Sequence, residues 1–231
     1  MNFKILLIAV AAFSGAFASA RAADAPSPSG DAASRPASRW DAAFASFAAD
    51  DAVHPHPPGG VLFVGSSSIR LWNDLEHQFQ TAPVVKRGFG GSQLSDCVKH
   101  LSRLVLPYRP RTVLVYAGDN DLAAGTPPQE VYRRFVAFVD GVHRELPQTH
   151  IAYISIKPSP ARAHLLGTIR ETNGLIREYA EREDSVDYID VFTPMLDAEG
   201  RPRAELFRAD RLHLNGEGYA LWQRVIAPHV H

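Results

Sequence analysis

The sequence predicts an α/β sandwich built on a parallel sheet, and three observations carry that expectation. Five short apolar runs have the length and composition of strands: Val61-Leu62-Phe63-Val64, Pro83-Val84-Val85, Thr112-Val113-Leu114-Val115-Tyr116, Ile151-Ala152-Tyr153-Ile154 and Val186-Asp187-Tyr188-Ile189. Most are apolar on both faces, as strands covered from both sides must be. Helical patterns lie between them. Val131, Phe135, Phe138, Val139 and Val142 make one clear stripe, and Ile169, Leu175, Ile176 and Tyr179 a weaker one. Such alternation implies right-handed strand–helix–strand crossovers, and no repeat of solenoid length interrupts it.

Taken from the start, Lys4 precedes an apolar stretch from Ile5 to Ala18, and Ala18-Ser19-Ala20 and Ala20-Arg21-Ala22 both have small-x-small form. Residues 1–22 are therefore expected to be a signal peptide that directs the chain out of the cell, to the periplasm or beyond. Ser14 and Gly15 interrupt a stretch already short for a bilayer span, so no stable membrane insertion is expected after cleavage. Residues 23–38, rich in Ala, Ser, Pro, Gly and Asp, have little to bury and read as a flexible linker. One folded domain is expected over residues 39–231. Its first helix is marked by Trp40, Phe44 and Phe47, and His54-Pro55-His56-Pro57-Pro58 breaks it. The two histidines there, flanked by prolines and lacking a clustered third ligand, read as loop rather than metal site. A last helix is expected from about Gly218 to Ile226, carrying Leu221, Trp222 and Val225.

The chain has 24 basic and 25 acidic residues, a net charge of −1, and no run of Lys and Arg. That excludes nucleic acid as a partner, because phosphate binding needs a basic excess or stripe. Cys97 is the single cysteine, so no internal disulfide can form. It falls in a helical pattern with Leu101, Leu104 and Val105, which assigns it to packing.

In a covered parallel sheet, ligands bind beyond the carboxyl ends of the strands. The first strand runs into Gly65-Ser66-Ser67-Ser68-Ile69, where a serine either presents its hydroxyl at a helix N-terminus or merely caps the helix. The second runs into Arg87-Gly88-Phe89-Gly90-Gly91-Ser92, where paired glycines make a turn or bring a backbone N–H close to a ligand. The third runs into Gly118-Asp119-Asn120-Asp121, where Asn is an Asx-turn residue or a side-chain donor. Asp210-Arg211-Leu212-His213 stands before the last helix, at a spacing that lets a carboxylate orient an imidazole. Each segment is weak alone. Together they supply a nucleophile, a base, an orienting carboxylate and oxyanion donors, the full set for acyl transfer.

These segments resemble the SGNH, or GDSL-type, serine hydrolases, named for Ser, Gly, Asn and His in four separate blocks. Val64-Gly65-Ser66-Ser67 is similar to the first block, Gly90-Gly91 to the second, Gly118-Asp119-Asn120-Asp121 to the third and Asp210-Arg211-Leu212-His213 to the last. The stretch Phe63–Trp72, together with Ser155-Ile156-Lys157-Pro158-Ser159-Pro160-Ala161-Arg162, resembles the bacterial branch close to platelet-activating-factor acetylhydrolase subunits. One departure is Ser66, where the family has an acidic residue. The resemblance implies a flavodoxin-like three-layer α/β/α sandwich with a five-stranded parallel sheet. It implies Ser67 as nucleophile, with Asp210 and His213 completing a triad, and an oxyanion hole of Ser67, Gly91 and Asn120. No metal or organic cofactor is implied.

The expected reaction is hydrolysis of short acyl esters, acetyl above all, through an acyl-enzyme, since no long apolar lid insertion is present. Small-molecule or glycan esters are the expected substrates. Arg70, Lys157 and Arg162 are candidates for contacting a polar leaving group, or else for salt bridges. Two other readings are a non-catalytic carbohydrate-binding module using Trp72 and Trp222, and an α/β-hydrolase-type lipase. Ile69 stands where the latter's G-x-S-x-G elbow needs its second glycine.

Overall fold

A computed structural model describes residues 38–79 and 82–230. The expected signal peptide, and the linker as far as residue 37, lie outside the described residues. The chain runs α1 (Asp41–Val53), β1 (Val61–Gly65), α2 (Ser67–Arg70), α3 (Leu75–Gln78), β2 (Val84–Gly88), α4 (Leu94–Lys99), α5 (Leu101–Leu104), β3 (Thr112–Tyr116), α6 (Asp119–Ala123), α7 (Pro128–Glu145), β4 (His150–Ile154), α8 (Leu166–Ala180), β5 (Val186–Ile189) and α9 (Gly216–Ile226). The five strands form one sheet in the order β2-β1-β3-β4-β5, and every pair is parallel. This is the doubly wound order in which the winding reverses between β1 and β3.

Alternation along each strand divides the core into two layers. Leu62, Val64, Val113, Val115, Ile151 and Tyr153 face Phe44 of α1, Cys97 of α4, Leu104 of α5, Phe135 and Val142 of α7 and Ile169 of α8. Val61, Phe63, Leu114, Tyr116, Ala152 and Ile154 face the other way, against Ile69 of α2, Leu75 of α3 and Trp222 and Ile226 of α9. β1 and β3 are buried along their whole length, which explains their unbroken apolar runs.

Element boundaries follow local chemistry. Pro83 offers no N–H to a ladder, and β2 begins at Val84. α9 starts two residues before the expected Gly218, because Asn215 caps it by accepting a bond from the Gly218 N–H at 3.0 Å. The stripe through Cys97 and Leu104 is split into α4 and α5 at His100. Cys97 is fully buried, in the packing role expected of it.

Trp72 and Trp222 are also inside, at 1% and 0% exposure, with ring centroids 6.0 Å apart. They are core residues, so neither can stack on a bound sugar. No described helix is long and apolar enough to cross a membrane.

Phe135 is fully buried against the rings of Tyr153 (4.8 Å) and Tyr179 (5.9 Å). Phe135→Ala is expected to cost about 3–5 kcal/mol, from lost transfer energy and the cavity left behind. Urea unfolding followed by circular dichroism would measure it as a lowered midpoint at unchanged slope.

Candidate active site

The strand ends bring the four sequence blocks to one cleft of about 460 Å³. Its walls include Ser67, Gly91, Asn120, Leu212 and His213. The cleft lies beyond β1 and β3, where the winding reverses.

Burial separates the three consecutive serines. Ser66 and Ser68 are 2% and 1% exposed, whereas Ser67, the first residue of α2, opens onto the cleft. The turn depends on Gly65. Its φ is +146°, and a Cβ there would lie 2.0 Å from the Tyr116 carbonyl oxygen. The next residue, Ser66, donates its N–H to that same oxygen at 3.0 Å. β1 therefore closes tightly on β3 just before the serine.

Ser67 Oγ lies 3.1 Å from His213 Nε2, although 146 residues separate them. His213 Nδ1 lies 2.7 Å from Asp210 Oδ2. The other Asp210 oxygen accepts the backbone N–H groups of Leu212 and His213, both at 2.9 Å. The carboxylate thus shapes its own loop as well as holding the ring. Hydrogen bonds from the imidazole and from those two backbone groups keep the Asp210 carboxyl well below the usual carboxylate range. An antiparallel bridge between Phe207 and Leu214 closes the loop at its base, and Asn215 then starts α9.

Two backbone donors border the serine. The Ser67 N–H is in the first turn of α2 and has no intrahelical partner. The Gly91 N–H belongs to the peptide whose carbonyl, on Gly90, accepts from the Trp40 indole at 3.0 Å. In a trans peptide the carbonyl and N–H point in opposite directions, so this bond turns the Gly91 N–H away from the Trp40 indole, and Gly91 itself lines the cleft. Arg39 holds the next carbonyl, on Gly91, at 2.8 Å. Between these two anchored carbonyls Gly91 takes a φ of +74°, which suits glycine.

The third donor is Asn120, the second residue of α6. Its Nδ2 donates to the Ser92 carbonyl at 3.0 Å, and its Oδ1 accepts from Arg162 Nη2 at 3.1 Å. Ser92 O can only accept and a guanidinium can only donate, so the two partners determine the amide orientation. One Nδ2 hydrogen is left over. Together the three groups can bind a developing oxyanion while His213 takes the Ser67 proton.

The remaining candidate cations sit differently from one another. Arg70, exposed on α2, borders the cleft. Lys157 is 1% exposed, and its ammonium is engaged by Asp119 Oδ2 at 2.8 Å and by the Tyr116 hydroxyl at 3.1 Å. Of the two roles open to it, it takes up the salt bridge, while still lining the cleft. Arg162 lies 2.5 Å from the other Asp119 oxygen. Burial alone would raise the Asp119 carboxyl, but Lys157 and Arg162 together outweigh burial and lower it.

Several contributors gave no sequence signal. Arg39 and Trp40 lie some 50 residues from the glycines they hold. Asp119 and Asp121 read as turn residues and as members of the third block, with no role of their own. Asp121 is fully buried and accepts from the Leu94 N–H at 3.1 Å and from Arg134 at 2.8 Å, tying α6 to α4 and α7. Asp50, Asp51 and His56 bring possible ligand atoms within 4.8 Å of one another, but the Arg87 guanidinium already pairs with both carboxylates.

Solved structures share this fold. A Streptococcus pneumonia protein whose assigned name invokes platelet activating factor superposes with a TM-score of 0.72 at 22% identity, over 81% of this chain and 91% of that one. A GDSL-like lipase from Bacteroides thetaiotaomicron gives 0.68 at 20% identity, covering 81% and 96%. An acetyl-xylooligosaccharide esterase from Geobacillus Stearmophilus gives 0.62 at 14% identity, covering 75% and 95%. No curated protein matches the sequence. The pattern of the GDSL-like Lipase/Acylhydrolase family matches residues 60–221, which hold Ser67, Gly91, Asn120, Asp210 and His213. The chain belongs to that family, and is a carboxylic ester hydrolase.

Proposed function

We propose that this protein is an exported serine esterase that removes short acyl groups, acetyl in particular, from small-molecule or glycan esters. The observation that carries the reading is the continuous hydrogen-bonded chain from Asp210 through His213 to Ser67, ending in a cleft with three oxyanion donors. Ser67 Oγ attacks the ester carbonyl as His213 Nε2 takes its proton, and Asp210 stabilises the imidazolium. The backbone N–H groups of Ser67 and Gly91 and the amide of Asn120 receive the oxyanion. His213 then protonates the departing alkoxide. Water, deprotonated by His213, attacks the acyl-Ser67 and releases the carboxylic acid.

The acetyl assignment rests on the cleft lining. Among the described residues, Arg70, Asp119, Asn120, Lys157 and Arg162 give it a polar lining, and Leu212 is its single large apolar side chain. A growing acyl chain would therefore gain little of the roughly 0.8 kcal/mol that each buried methylene offers. The acetyl-xylooligosaccharide esterase among the structural neighbours is in keeping with this assignment. Export rests on the signal-like residues 1–22.

Three outcomes are expected. Ser67→Ala should abolish hydrolysis and labelling by a fluorophosphonate probe while leaving the melting temperature unchanged, whereas Ser66→Ala and Ser68→Ala should still label. On p-nitrophenyl esters, kcat/KM should fall steadily from acetate to octanoate, and a rise toward octanoate would refute the short-acyl assignment. The third outcome concerns pH. Because the Asp210 carboxyl is held low in the fold, its carboxylate is present above the ordinary carboxylate range and is lost only as pH falls through that lowered value. kcat/KM should therefore show no ionisation step from Asp210 across the ordinary carboxylate range, and loss of activity through a carboxylate step there would contradict the geometry.

A further inference from the structure

We infer that Arg162 is a positioning residue for hydrolysis, acting through Asn120 by holding its amide in the orientation that receives the oxyanion. The inference rests on the oxyanion role given above to Asn120, and it assigns a function to the Lys157–Arg162 segment after β4.

The physical need is specific. The terminal torsion of an Asn side chain has a broad, nearly two-fold profile, so its rotamer does not by itself define where the amide hydrogens point. Two opposed bonds define it here, Nδ2 to Ser92 O at 3.0 Å and Arg162 Nη2 to Oδ1 at 3.1 Å. Removing the second leaves a single hinge about which the free N–H can swing. A misplacement near 1 Å at a reacting centre costs up to about 10²-fold.

Arg162 is itself held. Its Nη1 meets Asp119 Oδ1 at 2.5 Å, and the opposite Asp119 oxygen is taken by Lys157 at 2.8 Å. The side chains of Arg162, Asp119 and Lys157 are 16%, 6% and 2% exposed, so water has little access to compete for these bonds. A planar, permanently charged donor fork can serve Asp119 with one arm and Asn120 with the other. The sequence order completes the device, because Asp119 and Asn120 are consecutive at the start of α6.

A double-mutant cycle tests this on the folded full-length enzyme, with p-nitrophenyl acetate as substrate and melting temperatures taken for every variant. Asn120→Ala is expected to lower kcat by roughly 10²–10³, as loss of an oxyanion donor does. Arg162→Gln is expected to lower kcat about tenfold with KM within about twofold, since the donor loses its aim and not the substrate its seat. In the Asn120→Ala background, Arg162→Gln should cost less than about threefold, because nothing remains to be aimed. If the two losses simply multiply, or if Arg162→Gln alone raises KM and spares kcat, Arg162 acts on substrate directly and the inference fails. An Asn120→Ala enzyme with undiminished kcat would sink the oxyanion assignment, and this inference with it. Retained fluorophosphonate labelling in that enzyme would show that the Ser67 assignment survives.

Discussion

A parallel sheet buried on both faces leaves its strand ends as the main places where polar side chains can gather. In this chain every other organising feature follows from that restriction. β1 and β3 are apolar along their length and serve both core layers, so they cannot carry chemistry within the strand. The candidate site residues fall instead just after the strands, and the parallel arrangement puts them on a common edge. Ser67 follows β1, Gly91 follows β2 and Asn120 follows β3. Only His213 and Asp210 come from elsewhere, on a loop that α9 fastens to the same edge. The Tyr219 hydroxyl of α9 donates to the Ser68 carbonyl at 2.9 Å, which ties the histidine loop's helix directly to the serine turn.

Much of this was legible in the sequence because the relevant signals are local. Short continuous apolar runs gave the five strands, and helical stripes the α7, α8 and α9 helices. The serine, glycine, asparagine and Asp-His segments each fall just where a strand or loop ends. Legibility failed where the cause is a distant partner. The splitting of the Cys97 stripe at His100 is a tertiary outcome that no periodicity encodes. Trp72 and Trp222 looked like possible sugar platforms, since nothing local says which way an indole faces, and both proved to be core. For the same reason Lys157 stayed open between a leaving-group contact and a salt bridge. Its partner Asp119 lies 38 residues earlier and reads as an ordinary turn residue.

The charges around the site divide into two kinds. Asp210 is half exposed and does its work through hydrogen bonds, two of them to its own loop, so its ionised state does not depend on a deep pocket. Asp119 is the opposite case. It is buried, and an isolated carboxylate there would be costly, so it persists as an ion through contact with two cations. The first carboxylate faces the histidine, and the second lies beneath the asparagine. The loop bearing Arg162 also touches the histidine loop, since the Ala161 N–H donates to the Arg211 carbonyl at 3.0 Å. Both halves of the cleft therefore share one brace.

The tether from Arg39 and Trp40 to the carbonyls of Gly91 and Gly90 has a practical consequence for anyone handling this protein. Those two residues precede the first helix and fall outside residues 60–221, where the family pattern matches. Trimming an expression clone back to that homology boundary would remove both of them, and with them Phe44 of α1 and Trp222 and Ile226 of α9, all buried in the core. The anchors of the Gly90–Gly91 peptide and part of both core layers would go together, so the unit that must be expressed extends beyond the family pattern at both ends.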